Sequence, residues 1–253
     1  MTKESGLGDN LWIDQYDLSG DVNSLGAIAC PVSVQDNTQG IKKSAVERLV
    51  LKSDGKIDLT SLFNVDNTAG AEGAHNALSG LPATDRQITY ARGTTIGNAA
   101  ASMISKQVNY DGTRADDGSF MFTVNAVANG YGLEWGQQLT AGLRTDGSAT
   151  SPSTGIDLGS SPASYDFGWV AYLHVFAFTG TSVTVTLQDS ANNSAFTSLT
   201  GGAFTAATAR GVQRLASSSA TATVRRYVRA ITTGTFSNAI FAVNFVRYEV
   251  AQR

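Results

Sequence analysis

Apolar and polar positions alternate with a period of two along most of this 253-residue chain, which is the pattern of strands with one face buried. In 57–62, Ile57, Leu59 and Ser61 alternate with Asp58, Thr60 and Leu62. In 182–190, Val183, Val185 and Leu187 point one way and Thr184, Thr186 and Gln188 the other. Segments 86–93, 101–112, 119–130, 223–234 and 238–250 read as further strands, with shorter ones near 195–200 and 211–216. Segment 167–178 is apolar on both faces: Trp169, Leu173 and Val175 on one, Val170, Tyr172, Phe176 and Phe178 on the other. It is expected to be sandwiched on both sides or covered by another subunit. Asp54-Gly55 lies between two apolar runs and predicts a hairpin across 46–63. The Ala- and Leu-rich stretch 69–82, stopped by Gly80-Leu81-Pro82, predicts one short helix near 70–80. The expected fold class is all-β, a β-sandwich or barrel-forming arrangement with that single helix.

The stretch 146–164 holds three glycines, two of the four prolines and many serines, and predicts a linker or exposed loop. It divides a first β domain with the helix, 1–145, from a strand-rich region, 165–253. That region is either a second β-sandwich or the remainder of the first fold.

Charge sharpens the division. Residues 1–150 carry 17 acids and 11 bases, a balance of −6; residues 151–253 carry 4 acids and 7 bases, all Arg, a balance of +3. Together they give the net −3 of the chain. Such polarity suggests two regions facing different surroundings. The single cysteine, Cys30, between Ala29 and Pro31, reads as a small buried residue and allows no internal disulfide. The first residues contain no apolar segment of the signal-peptide kind, and no run approaches 18 apolar residues. The expectation is synthesis in a cytoplasm with no membrane insertion.

The residues offer little chemistry. His174 alternates inside an apolar strand and His75 sits on the expected helix; both read as structural, and no catalytic residue, metal site or cofactor is assigned. Asp116-Asp117 and Asp189 with Asn192-Asn193 have calcium-compatible oxygens, but turn stabilisation explains them more simply. Arg225 and Arg229, flanking Tyr227 on one strand face, could grip phosphate or sugar. The structural readings are charge guarding an edge, or ion pairs with acids of an adjacent subunit, and these outweigh binding. In LWIDQYDL (11–18), large aromatics near a terminus demand a cover, either a neighbour or the chain itself. Trp12, Tyr16, Leu18, Trp135, Arg225 and Arg229 are therefore the candidate subunit-interface residues, and lumen-facing positions are left open.

YDLSGDVNSLG (16–26), the hairpin–helix order of 46–82, DDGSFMFTVNA (116–126), GLEWGQQLTAG (132–142), VTVTLQDSANNSAF (183–196), RYVRAITTG (226–234) and FAVNFVRY (241–248) together resemble the major tail (tail tube) proteins of long-tailed bacteriophages. The resemblance implies a non-enzymatic virion subunit, assembled in the bacterial host cytoplasm. Such subunits form homo-hexameric rings stacked into a tube that conducts DNA during infection. It implies tape measure, terminator and distal tail proteins as partners, and transient non-specific contact with passing DNA. Six copies would carry six times −3, or −18. A basic bore would hold phosphates, so acids of the first 150 residues are expected to face the bore and the Arg-rich strand 223–231 to face away. The alternative is a virion decoration or host-glycan-binding β-sandwich. On the tube reading, removing residues 1–18 should impair assembly more than folding.

Overall fold

The computed structural model describes residues 5–38, 45–68, 72–159 and 164–251; the expected helix therefore begins in a segment, 69–71, outside the described residues. In the first half lie β1 (Asn10–Ile13), β2 (Tyr16–Asp17), β3 (Val22–Ala29), β4 (Val32–Asp36), β5 (Arg48–Ser53) and β6 (Lys56–Leu62). They are followed by α1 (Ala74–Leu78), β7 (Arg86–Ala91), β8 (Ala99–Gln107), β9 (Asp111–Arg114), β10 (Phe120–Ala128) and β11 (Glu134–Gln138). The second half contains β12 (Arg144–Asp146), β13 (Ile156–Asp157), β14 (Ser164–Tyr165), β15 (Trp169–Ser190), β16 (Thr197–Ala203), β17 (Gly211–Ala216), β18 (Val224–Arg225) and β19 (Tyr227–Arg247). The fold is all-β with one short helix among the described residues.

The main sheet runs β16-β15-β19-β11-β8-β10-β6-β3 through antiparallel neighbours, and its two ends do not pair with each other, so it is open rather than a closed barrel. One core lies in the second half, around Trp169, Leu173, Val185, Leu187, Phe241 and Phe245. The other lies in the first half, around Leu11, Ile13, Leu18, Ile57, Leu59, Leu78, Ile88 and Met103. In β6, Ile57, Leu59 and Ser61 are buried as the alternation predicts. The helix is only five residues long; Asp21 Oδ2 accepts from Ala74 N at 2.7 Å and steadies its first turn.

The Asp54-Gly55 hairpin does not form. β5 pairs with β4 in a separate two-stranded sheet, while β6 pairs with β3 and β10. Gly55 serves a close approach instead: a Cβ there would lie 2.6 Å from Leu133 N. The chain passes through that gap from one sheet to the other, and a tight-turn signature is read by the sequence alone as the wrong kind of glycine.

Four expected strands are two. Segments 167–178 and 182–190 join into the 22-residue β15, and 223–234 and 238–250 into the 21-residue β19. The two pair along their length, with register shifts around Ala177 and Gly180. Gly180 (φ 150°) sits at these shifts and Gly234 (φ 122°) close by on the facing strand. A Cβ on Gly180 would come within 2.4 Å of Phe236 Cα, and one on Gly234 within 2.3 Å of Ser182 O, so only glycine fits the close approach of the two strands there. The shift after Val175 also reverses the side-chain parity. Phe178 therefore packs with Leu173 and Val175 rather than with Phe176.

The first part of β15 is sandwiched on both faces, as its composition predicts. One face builds the second-half core. The other meets β1, β7 and β8: Phe176 and Ala242 pack on Trp12, Ala91 and Ala100, and Val170, Tyr172 and Val246 pack with Ile104. Trp12 and Leu18 are completely buried by the chain itself. β1 pairs with β7 as well as β2, so the opening stretch is part of the first-half core and not a free arm. The expectation that residues 1–18 matter to assembly more than to folding is thereby corrected.

A polar chain crosses this dry layer. His174 Nδ1 lies 2.7 Å from the Asp14 carbonyl, which can only accept, so Nδ1 carries the hydrogen. Nε2 must then accept from Thr89 Oγ1 (2.8 Å), Thr89 accepts from Ser102 Oγ (2.7 Å), and Ser102 accepts from Asn244 Nδ2 (2.8 Å). Burial pushes the His174 pKa down to about 4, against a smaller opposing pull from Asp14. A proton on Nε2 would turn the acceptor of that chain into a second donor.

Two outcomes follow from this layer. Trp12→Ala should lower stability by about 3–5 kcal/mol, read from chemical denaturation midpoints, because the cavity lies in a fully buried aromatic contact. His174 lowers its proton affinity on folding, so the unfolded chain takes up the proton first as pH falls. Its contribution is intact above about pH 6.5 and is lost on descending toward pH 4, by an amount on the order of 3 kcal/mol. Denaturation midpoints between pH 7 and 4.5 should fall less steeply in His174→Gln than in the native chain.

Candidate functional site

The β4–β5 hairpin stands apart from both cores. Every residue of both strands is exposed, yet Val34 (52 %), Val46 (63 %), Leu49 (54 %) and Val50 (43 %) are aliphatic. Val34 faces Val50 across the ladder, and Leu49 and Leu51 lie on the opposite face of β5. The hairpin is thus apolar on both sides, although β-branched residues and Leu at exposed positions stabilise nothing unless covered. An isolated two-stranded hairpin is marginal in water.

At the hairpin's base opens a cleft of ≈ 980 Å³, lined by Val32 and Leu51 from the hairpin, Tyr131 and Glu134 before and on β11, and Arg214 and Tyr248 from the second half. Its carboxylate, Glu134, is already engaged. Glu134 accepts from the Tyr172 and Tyr248 hydroxyls and from Arg214 Nη2 (3.2 Å to each oxygen). Arg214 also donates from Nε to Tyr172 Oη at 3.1 Å and stacks 3.5 Å over Tyr131. Burial, followed by the Glu134 charge and hydrogen bond, pushes the Tyr172 hydroxyl far above its ordinary range; the Tyr248 hydroxyl rises for the same reasons. Both remain neutral donors. The quartet locks β11, β15 and β17 together, and both Glu134 oxygens and both tyrosine hydroxyl hydrogens are spent within it.

The interface candidates scatter. Trp12 and Leu18 are inside; Tyr16 is half-buried under the Arg210 guanidinium, 5.4 Å from its ring centre. Trp135 is 51 % exposed, edge-on to Tyr90. Arg225 binds the buried Asp189 through backbone and side chain, and also the Thr197 hydroxyl. Arg229 grips Gln188 Oε1 (2.9 Å from Nε) and the Pro152 carbonyl, with its guanidinium 4.0 Å over Phe196.

The remaining described arginines of the second half are engaged too: Arg210 with Glu72, Arg226 with Asp157, and Arg247 with the Leu158 carbonyl. Arg210–Glu72 and Arg214–Glu134 join the basic second half to the acidic first half. The complementarity expected between subunits is satisfied within one chain. Arg226 holds Asp157 down to about 2. Asp117 accepts from Ser119 N and Asn192 from Ser194 N and Ala195 N, the turn roles expected of them. Cys30 is half-buried, with its Sγ 3.4 Å from Leu133 N. Sequence reasoning missed the β4–β5 hairpin because it assigned β5 to a pair with β6; the signal was present in the adjacent Val32, Val34, Leu49 and Leu51.

No family model matches the sequence, and no curated protein matches it. Among solved structures, a chain of a native gene transfer agent virion shares 11 % identity over 53 % of this chain and 98 % of its own, with a TM-score of 0.40. The Dit protein of phage SPP1 shares 12 % over 94 % and 99 %, at 0.34, and a chain of the phage p2 baseplate 9 % over 96 % and 99 %, at 0.35. At such scores and identities these likenesses support no functional assignment.

The quartet gives a contrast that stability measurements can read. Arg214→Met strands the half-buried Glu134 charge and should cost about 2–4 kcal/mol in urea denaturation. Arg226→Met removes a solvent-exposed pair and should leave the denaturation midpoint unchanged within error.

Proposed function

We propose that this chain is a non-enzymatic structural subunit of a phage tail, assembling as hexameric rings stacked into a tube through which DNA passes. The observation that carries the reading is the β4–β5 hairpin, whose exposed Val34, Val46, Leu49 and Val50 demand a cover that the described residues of the chain do not supply. The sequence resemblance to major tail proteins points the same way. A further support is β3, which ends the main sheet with one edge unpaired among the described strands and can extend a sheet into a neighbour.

The charge arrangement suits a conduit. Each described arginine of the second half is held by an acceptor of its own chain, which lowers the attraction for passing phosphates. The tape measure, terminator and distal tail proteins are the partners that this role carries. The glycan-binding alternative finds its best cleft already saturated around Glu134.

Negative-stain images of the purified protein should show rings about one subunit thick and stacks of them, persisting at high salt because the contacts are aliphatic. In a gel-shift titration, duplex DNA should show no retention even at about 50 mM salt. A protein that stays monomeric at concentrations of about 100 μM, or one that retains duplex DNA strongly, is not a tail-tube subunit.

A further inference from the structure

Asn129-Gly130 is the chain's one Asn-Gly pair. Such a pair commonly forms the turn of a two-residue hairpin, where the flanking ladder holds it. Here it closes no hairpin. β10 ends at Ala128 and pairs with β6, β8 and β9, whereas β11 begins at Glu134 and pairs with β8 and β19. Asn129 is exposed, and its N–H donates to the Ile104 carbonyl at 2.8 Å. The N–H groups of Gly130, Tyr131 and Gly132 donate to no acceptor among the described residues. Gly130 has φ 88°, and no atom lies within 4 Å of where its Cβ would stand. Its nitrogen is therefore neither tied down nor crowded.

An asparagine carboxamide loses ammonia when a nucleophile reaches Cγ, and two nitrogens are placed to do so. One is the Gly130 main-chain nitrogen, whose attack closes a five-membered ring. The other is Lys106 Nζ on β8. It donates to Asp85 Oδ1 at 2.8 Å, and Asn129 Nδ2 donates to the same oxygen at 2.8 Å. One carboxylate oxygen thus holds amine and amide side by side. Exposure decides between the two nitrogens. The Lys106 and Asp85 side chains are 39 % and 45 % open to water. Hydrogen bonds from Lys106, then from Asn129, hold the Asp85 carboxyl below its ordinary range, so it stays charged and keeps Lys106 as an ammonium. An ammonium has no lone pair to give. The Gly130 nitrogen needs only to lose its proton to solvent.

We propose that Asn129 is a self-modification site, at which the Gly130 nitrogen displaces the side-chain amide. The bond from Gly130 N to Asn129 Cγ forms and the Cγ–Nδ2 bond breaks. The Gly130 proton passes through water to the departing nitrogen, which leaves as ammonia. Water then opens the cyclic imide at either carbonyl and gives aspartate or isoaspartate, with no change of oxidation state. The product carries one more negative charge, placed where an amide had donated to Asp85. Two carboxylates then share Lys106. Isoaspartate also lengthens the main chain by one carbon just before Tyr131 and Gly132, which line the cleft below the β4–β5 hairpin. That rim is tightly fitted: a Cβ on Gly132 would lie 3.0 Å from Cys30 Sγ and from Ser53 Oγ. The change is irreversible and marks the age of each copy at the cleft.

The test is incubation of the full native chain in mildly alkaline buffer, followed by peptide mapping with mass spectrometry. The peptide containing position 129 should gain the mass of an amide-to-acid change and split into two products, one a substrate for an isoaspartyl methyltransferase. The buried Asn244 should remain an amide. The native rate at Asn129 should lie within about tenfold of the rate in denaturant, because little structure has to open first. Asn129→Gln should abolish the change. Lys106→Arg should retain it. Both positions are solvent-accessible, and circular dichroism checks that each variant folds. A native rate slower than that range overturns the proposal. So does a cross-linked peptide joining Lys106 to position 129, absent in Lys106→Arg, which would make the lysine the nucleophile.

Discussion

One ladder of twenty paired positions, between β15 and β19, supplies a wall to everything else. One face of its first part is the floor of the second-half core, and the opposite face carries Trp12, Ala100 and the His174 hydrogen-bond chain. Both halves of the chain are therefore fastened to the same two strands. Where its register shifts, Gly180 and the nearby Gly234 let the two backbones approach more closely than a Cβ allows, so the ladder continues through the irregularity.

The layer across that ladder is specified by direction as well as by volume. Hydrophobic packing of Phe176 and Ala242 against Trp12 and Ala100 tolerates small slides. The donor sequence from Asn244 through Ser102 and Thr89 to His174 and the Asp14 carbonyl does not, since each group has one hydrogen to place and a fixed acceptor. A one-residue slip of β15 against its ladder partner β19 would turn His174 and Phe176 toward the opposite core and leave Thr89 without its His174 partner. The polar chain thus fixes register where apolar contacts alone would not.

Much of this was legible in the sequence, and the failures have particular causes. The period-2 pattern placed most strands, and the double-faced apolar run 167–178 was read as buried on both sides, which it is. The alternation of Ile57, Leu59 and Ser61 gave the inward face of β6. Strand continuity was not legible, because Gly180 and Gly234 look like turn residues when they lie within a ladder, where its two backbones come close. Asp54-Gly55 misled for a related reason: the glycine answers to the Leu133 backbone, 78 residues away in sequence, and short-range rules do not see distant neighbours. The Arg set was read as seeking acids elsewhere. Its partners Glu72 and Glu134 do lie in the first half, but of the same chain, and nothing in a sequence distinguishes the two cases.

The pattern of satisfied and unsatisfied groups bears on how such a chain meets others. Each described arginine of the second half is engaged by an acceptor of the same chain, and the cleft carboxylate Glu134 spends both oxygens on Arg214, Tyr172 and Tyr248. Among the described residues the open groups include apolar ones: aliphatic side chains on the hairpin and aromatic ones beyond Phe63. Ion pairs on an exposed surface contribute little and weaken with salt. Apolar area contributes in proportion to what is covered and is insensitive to screening. A surface arranged this way gains more cohesion from area that a neighbour covers than from ion pairs with it.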